Sequence, residues 1–177
     1  MSNHIAVVID WFGPYKGIQE ANKVAQNDFE GGLYLFIGRK KHQKSRPKLL
    51  YVGKSNDLSF RVNPNHHILP FISGYPLIWL GEIASYGIPG KVKVDLIHQA
   101  EWAMIYFLQP LLNEKKAANP PNYPITVFNR WWKKDYETPR KQRPHLAWPD
   151  VIDFRGCYSG ARIGWVDYSY KYEPTDF

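Results

Sequence analysis

GGLYLFIGRKKHQKSRPKLLYVGKS, residues 31–55, sets two short apolar runs, each with one tyrosine, on either side of a loop crowded with positive charge. Leu33, Leu35 and Ile37 alternate with Tyr34 and Phe36, and Leu50 and Val52 alternate with Leu49 and Tyr51, which is the period-two signature of half-buried strands. Each run is the other's nearest partner, so the pattern predicts Tyr34 and Tyr51 on facing strands. The connector, residues 39–48, is longer than the roughly two to five residues usual in a hairpin. It carries Arg39, Lys40, Lys41, Lys44, Arg46 and Lys48, whose mutual repulsion predicts a mobile finger.

Working outward, residues 4–15 read as a short strand broken at Gly13-Pro14, and Ile18, Ala21, Val24 and Ala25 have helical spacing that ends by Gly31. After the second tyrosine run, Asn56 or Asp57 is placed to cap a short helix carrying Arg61, stopped by Asn63-Pro64. PLIWLGEIA, residues 76–84, predicts a third strand, followed by a loop over residues 87–93. Asp95 then caps the longest helical pattern, with Leu96, Ile97, Ala100, Ala103, Met104, Phe107 and Leu108 on one stripe and Glu101 at its edge. Pro110 ends it near Gln109. Beyond Asn119 the prolines multiply, which predicts little regular structure apart from a last strand or hairpin within residues 158–172.

The expectation is an α+β fold: a small, mostly antiparallel three-stranded sheet flanked by helices. An N-terminal strand and helix (residues 1–30) pack on a core (31–118), and a basic Pro/Trp-rich extension (119–177) wraps the same unit. No apolar run approaches the roughly 18 residues of a membrane span, and the N-terminus lacks the order of a secretory signal, so a soluble, cytoplasmic protein is expected. Cys157 is the only cysteine, which excludes an internal disulfide and a thiolate zinc cluster.

The chain has 23 Lys+Arg against 16 Asp+Glu, a formal +7, which favours a polyanionic partner. Distribution sharpens this, because residues 31–56 hold seven cations and no acid. Residues 130–143 add six cations, among them Arg130, Lys133 and Lys134, interleaved with Trp131, Trp132 and Tyr136. Aromatics among cations suit phosphate neutralisation with base stacking; they equally suit tryptophans packing on the domain.

GGLY, then LYVGKS, then Arg61 on a short helix, then Glu101 on a long helix running into QPLLNE resembles the GIY-YIG nuclease family over residues 32–113. Tyr34 matches the tyrosine of that family's first motif, Tyr51 and Gly53 the tyrosine and glycine of the second. Arg61, Glu101 and Asn113 follow in the order of its arginine, metal-binding glutamate and asparagine. The tyrosines are 17 positions apart, more than the family usually leaves, which makes the basic finger an insertion. Lys54 resembles the lysine of restriction-enzyme members, and His66 or His67 is placed where the family often carries a histidine or further tyrosine.

The resemblance implies a Mg²⁺-dependent (or Mn²⁺-dependent) DNA endonuclease of restriction type, one ion per site, acting on double-stranded DNA, for which a homodimer is the natural way to cut both strands. Its alternatives are a structure-selective repair or recombination nuclease and a non-catalytic nucleic-acid-binding protein on the same scaffold. The residue types suit the first. One carboxylate, Glu101, plus waters and phosphate suffices to hold a hard cation, and Arg61 offers a fixed fork for the scissile phosphate. Tyr34 or Lys54 is the expected base, with nearby cations favouring the phenolate, and Tyr51 orients water or phosphate. Arg39, Lys40, Lys41, Lys44, Arg46, Lys48, His66, His67, Arg130, Lys133 and Lys134 are the expected nucleic-acid contacts. Gly53 and Asn113 are expected to fix local geometry. Against all this stands the ordinary use of strand tyrosines in packing and of helix glutamates in solvation.

Overall fold

The computed structural model describes residues 4–87, 95–157 and 159–165. Among them the two tyrosine runs do form strands, β2 (Gly32–Lys40) and β3 (Lys48–Ser55), paired antiparallel with Tyr34 opposite Gly53 and Phe36 opposite Tyr51. They are one margin of a larger sheet. β1 (Ile5–Lys16) precedes them, followed by helix α1 (Ile18–Asp28). β4 (Ile72–Gly87), β5 (Ile125–Trp132), β6 (Val151–Phe154) and β7 (Ala161–Gly164) complete a seven-stranded sheet of order β3-β2-β4-β1-β5-β6-β7. All pairings are antiparallel except that of β1 with β5. The expected three-stranded sheet is therefore too small, and the architecture is a mixed α+β fold around one wide sheet.

Two local readings explain the difference. β1 does not break at Gly13-Pro14; it shifts register between Phe12 and Tyr15, and the bulge lets a strand keep a proline that cannot donate to the ladder. A side chain at Gly13 would meet the Ile78 carbonyl oxygen at 3.0 Å, and its φ of +148° suits glycine. The segment beyond Asn119 is irregular only in part: residues 133–150 have little regular structure, but β5, β6 and β7 extend the sheet. Ile125, Val127, Asn129 and Trp131 all turn inward from β5, a period-two pattern in which inward Asn129 stands where an apolar residue is expected. That amide is satisfied, accepting from the Trp11 indole at 2.8 Å and donating to the Pro149 carbonyl at 3.0 Å. Within the predicted last strand, β7 covers four residues; Tyr158 and residues 166–172 lie outside the described residues, as does most of the predicted 87–93 loop.

The alternation of β2 sorts the core into two layers. Leu33, Leu35 and Ile37 face α3 (Leu96–Leu108), meeting Ala100, Ala103 and Met104 together with a cluster of Trp11, Trp79, Trp131 and Trp148. Tyr34 and Phe36 face the other way, onto Ile18, Ala21 and Ala25 of α1 and Leu58 of the short helix α2 (Leu58–Arg61). Trp131 is thus core: its ring stacks on Trp11 with centroids 6.2 Å apart and meets Trp148 edge-on at 5.6 Å. Both predicted caps are present. Asp57 accepts from the Phe60 amide at 3.1 Å and Asp95 from the His98 amide at 2.9 Å, satisfying N–H groups that a helix start leaves open. No helix among the described residues is long and apolar enough to cross a membrane.

Candidate active site

The cleft is built where α3 passes the β3 margin of the sheet. After α3 the chain turns at Gln109, whose φ is +48°, and lies along β3: the Leu111 and Leu112 amides donate to the Leu49 and Leu50 carbonyls at 3.3 and 2.8 Å. Asn113 completes the pairing with its side chain, accepting from the Val52 amide at 2.9 Å and donating to the Val52 carbonyl at 2.8 Å. An amide side chain here does what a peptide group does in a ladder, as expected for a residue that fixes geometry.

Gly53 is required by the phenols. A Cβ there would stand 2.4 Å from Tyr34 Cζ and 2.8 Å from Tyr51 Cε1, so only a residue without one lets Tyr34 lie across the strand. The two tyrosine rings stack with centroids 6.0 Å apart. His66 closes the cluster from the segment after α2: its ring meets Tyr34 and Tyr51 edge-on and stacks on His67 at 4.6 Å. The Ile68 amide approaches His66 Nδ1 at 3.4 Å, which leaves Nε2 to carry the proton and donate to the Tyr34 hydroxyl at 3.0 Å.

In front of this cluster lies a cleft of about 510 Å³ whose walls include Tyr51, Arg61, His67, Glu101 and Asn113, with Lys40, Glu114, Lys115 and Lys116 around them. Three separate elements, β3, α2 and α3, thus bring a phenol, a guanidinium and a carboxylate to one opening. Glu101 is nearly buried, and its Oε2 is held by the ammonium of Lys116, which also lies 3.3 Å from His98 Nδ1.

The electrostatics invert one expectation. Tyr34 is fully buried and Tyr51 half-buried, and burial raises both phenols above their ordinary range. For Tyr34 this outweighs the opposing pull of Arg61, and neighbouring Tyr51 and Glu101 push it further up; for Tyr51 the Glu101 charge adds to burial. Tyr34 is therefore a neutral phenol behind the cleft, and not a phenolate in it. Burial likewise lowers His66 to about 3, with His67 and Arg61 adding to it, so its imidazole is neutral.

The remaining predicted residues separate. Lys54 turns away from the cleft to Asp95, 2.7 Å off, tying β3 to the start of α3. In the finger, residues 41–44 and 46–48 are exposed, and none of Arg39, Lys40, Lys41, Lys44, Arg46 and Lys48 forms an ion pair with a carboxylate among the described residues. Its base is anchored where the Lys41 amide donates to the Phe71 carbonyl at 2.8 Å. The C-terminal cations differ. Arg130 grips both oxygens of Asp10 at 2.6 Å and stacks over Trp132, in a depression it shares with Asp28 and Glu82, and Lys134 pairs with Glu20. Lys133 is exposed on the turn that follows.

Lys116 and His98 join the site without being expected there, His98 because the histidines outside the His66–His67 pair show no metal spacing. His98 was visible as a companion of Glu101 three residues back on α3, the spacing that shares a helix face. Lys116 has no such signal, since it reaches Glu101 from the turn after the helix.

A divalent cation fits this donor set in one way only. Among the described residues no three His, Cys, Asp or Glu side chains converge as a protein cage, but Glu101 already holds a cationic group at the wall of the cleft. That arrangement suits a hard ion that keeps most of its waters. No family model, no curated protein and no solved structure matches the chain.

Proposed function

We propose that the chain is a Mg²⁺-dependent DNA endonuclease of the GIY-YIG type, with the restriction-type subclass as the favoured reading. The observation that carries it is the meeting of Tyr51, Arg61 and Glu101 in one cation-rimmed cleft, from three separate elements, β3, α2 and the more distant α3. Arg61 takes the scissile phosphate with its fork, a geometry that a lysine ammonium does not reproduce. Glu101 would hold the cation, which when bound supplies stabilisation of the charge growing on the phosphoryl oxygens. Tyr51, the phenol that faces the opening, orients the attacking water. Tyr34 positions Tyr51 from behind, itself fixed by His66.

His67 offers the base. It lines the cleft edge-on to Tyr51 at 5.4 Å, and imidazole is the side chain best matched to proton transfer near neutral pH. The bond from water to phosphorus forms as the bond to the 3′-oxygen breaks; the water's proton passes to His67, and the departing 3′-oxygen takes a proton from solvent to become a hydroxyl. The unpaired finger cations hold the flanking phosphates. Double-strand cutting would bring two copies together on one site.

Incubating supercoiled plasmid with the protein, with and without Mg²⁺, tests this directly. Nicking or linearisation that needs Mg²⁺ and disappears in Glu101→Gln is expected, with discrete fragments on larger DNA. Preference for branched substrates would move the reading to repair, and binding without nicking under both conditions would make the protein a non-catalytic DNA binder.

A further inference from the structure

Lys116 is placed with unusual care for a surface lysine. Its backbone takes a left-handed conformation, φ +68°, rare for a residue with a side chain. Its ammonium is brought between two groups on the same face of α3, Glu101 Oε2 and His98 Nδ1, and its side chain is only 22% exposed. His98 is held below its ordinary range, by burial first and then by the Lys116 and Lys54 charges, so its Nδ1 accepts from the ammonium. Glu101 therefore already has a cation at Oε2, one of the two oxygens with which its carboxylate would hold a divalent ion.

We infer that Lys116 is a resident counter-ion that makes the binding of metal and of DNA interdependent: it occupies Glu101 in the free protein and transfers to a phosphate when DNA enters, releasing the carboxylate. The inference rests on the reading of Glu101 as the cation's ligand. Three charges decide it. A second cation close to Lys116 is repelled by it, so free protein binds metal poorly. A phosphate in the cleft gives the ammonium another anion, and Lys40 and Lys115 on the same walls help attract it. By reciprocity, metal then favours DNA as much as DNA favours metal.

The test uses the full chain and Mn²⁺ followed by electron paramagnetic resonance, without DNA. Lys116→Met keeps the apolar stem and the same backbone demand while deleting the charge. It should bind Mn²⁺ at least about tenfold more tightly than the parent, since one unit charge is removed from beside the ligand. Adding Glu101→Gln to it should abolish the gain. If Lys116→Met binds no more tightly while Glu101→Gln alone weakens binding, the counter-ion role is wrong and the metal reading survives. If Glu101→Gln changes Mn²⁺ affinity in neither background, the metal reading itself falls, and the inference with it. A second arm measures affinity for a short duplex with and without Ca²⁺: the parent should tighten with Ca²⁺ several-fold more than the variant, and equal responses would overturn the coupling. Lys116→Gln repeats both arms if the methionine variant does not fold.

Discussion

Gly53 lies opposite Tyr34 across the β2–β3 ladder, and a Cβ at that position would stand 2.5 Å from the Tyr34 hydroxyl. The glycine and the phenol are a single packing decision. Gly53→Ala forces the buried ring off its site, and overpacking of this kind costs about 1 to 3 kcal/mol. Urea denaturation should register a loss in that range, with cleavage falling further than stability because Tyr51 moves with Tyr34.

The two phenols should separate in kinetics. Tyr51→Phe deletes the hydroxyl that orients the attacking water and is expected to lower the cleavage rate by about 10²-fold, the scale of a lost positioning contact. Tyr34→Phe leaves the cleft wall intact but strips His66 of its partner. A smaller rate loss is expected, together with about 1 kcal/mol of destabilisation for the lost hydrogen bond. Equal losses in single-turnover assays would mean that Tyr34 orients the water as directly as Tyr51 does.

His66 makes the fold acid-sensitive over a defined window. Its folded value of about 3 lies below the ordinary 6.5, so the unfolded chain binds the proton more readily between those limits. Stability is then complete above about pH 6.5, falls with a slope of up to about 1.4 kcal/mol per pH unit as the pH drops, and stops falling from this source near the folded value. His66→Phe removes the titrating group. Denaturation midpoints measured across this range should fall less steeply for the variant than for the parent.

Charge on the finger and charge at Arg130 should behave differently towards DNA. Lys44→Ala and Arg46→Ala each remove an unpaired cation, and each is expected to reduce the slope of log affinity against log salt by about 0.9 if it meets a phosphate. Arg130→Ala breaks the bidentate grip on Asp10, a carboxylate only 8% exposed. Its effect should appear as lost stability, about 1 to 3 kcal/mol, with the salt slope unchanged. Fluorescence anisotropy at several salt concentrations, paired with thermal melts, reads both.

What the sequence made legible was local. The Asp57 and Asp95 caps, the tyrosine strands and the short Arg61 helix follow from spacing of a few residues, and all are found where that spacing puts them. The sheet's breadth was not legible for two reasons of physical kind. A bulge lets β1 cross Gly13-Pro14, and Asn129 interrupts the apolar alternation of β5 with an amide whose partners, Trp11 and Pro149, lie elsewhere in the chain. At the cleft, Arg61, Tyr51 and Glu101 were foreseen as neighbours, whereas the pairing of Lys54 with Asp95 and of Lys116 with Glu101 depends on where turns deliver flexible side chains. Burial decides the character of Tyr34, and neither its depth nor its effect on a phenol can be read from adjacent letters.

The strip formed by residues 111–113 seals the outer rim of the sheet while also forming one bank of the cleft. A second copy adding its own strand at that rim would have to peel the strip off, taking Asn113 from Val52 and opening the bank. Self-association along this rim and a working cleft are thus mutually exclusive, and any active pair of copies must join through a different part of the surface.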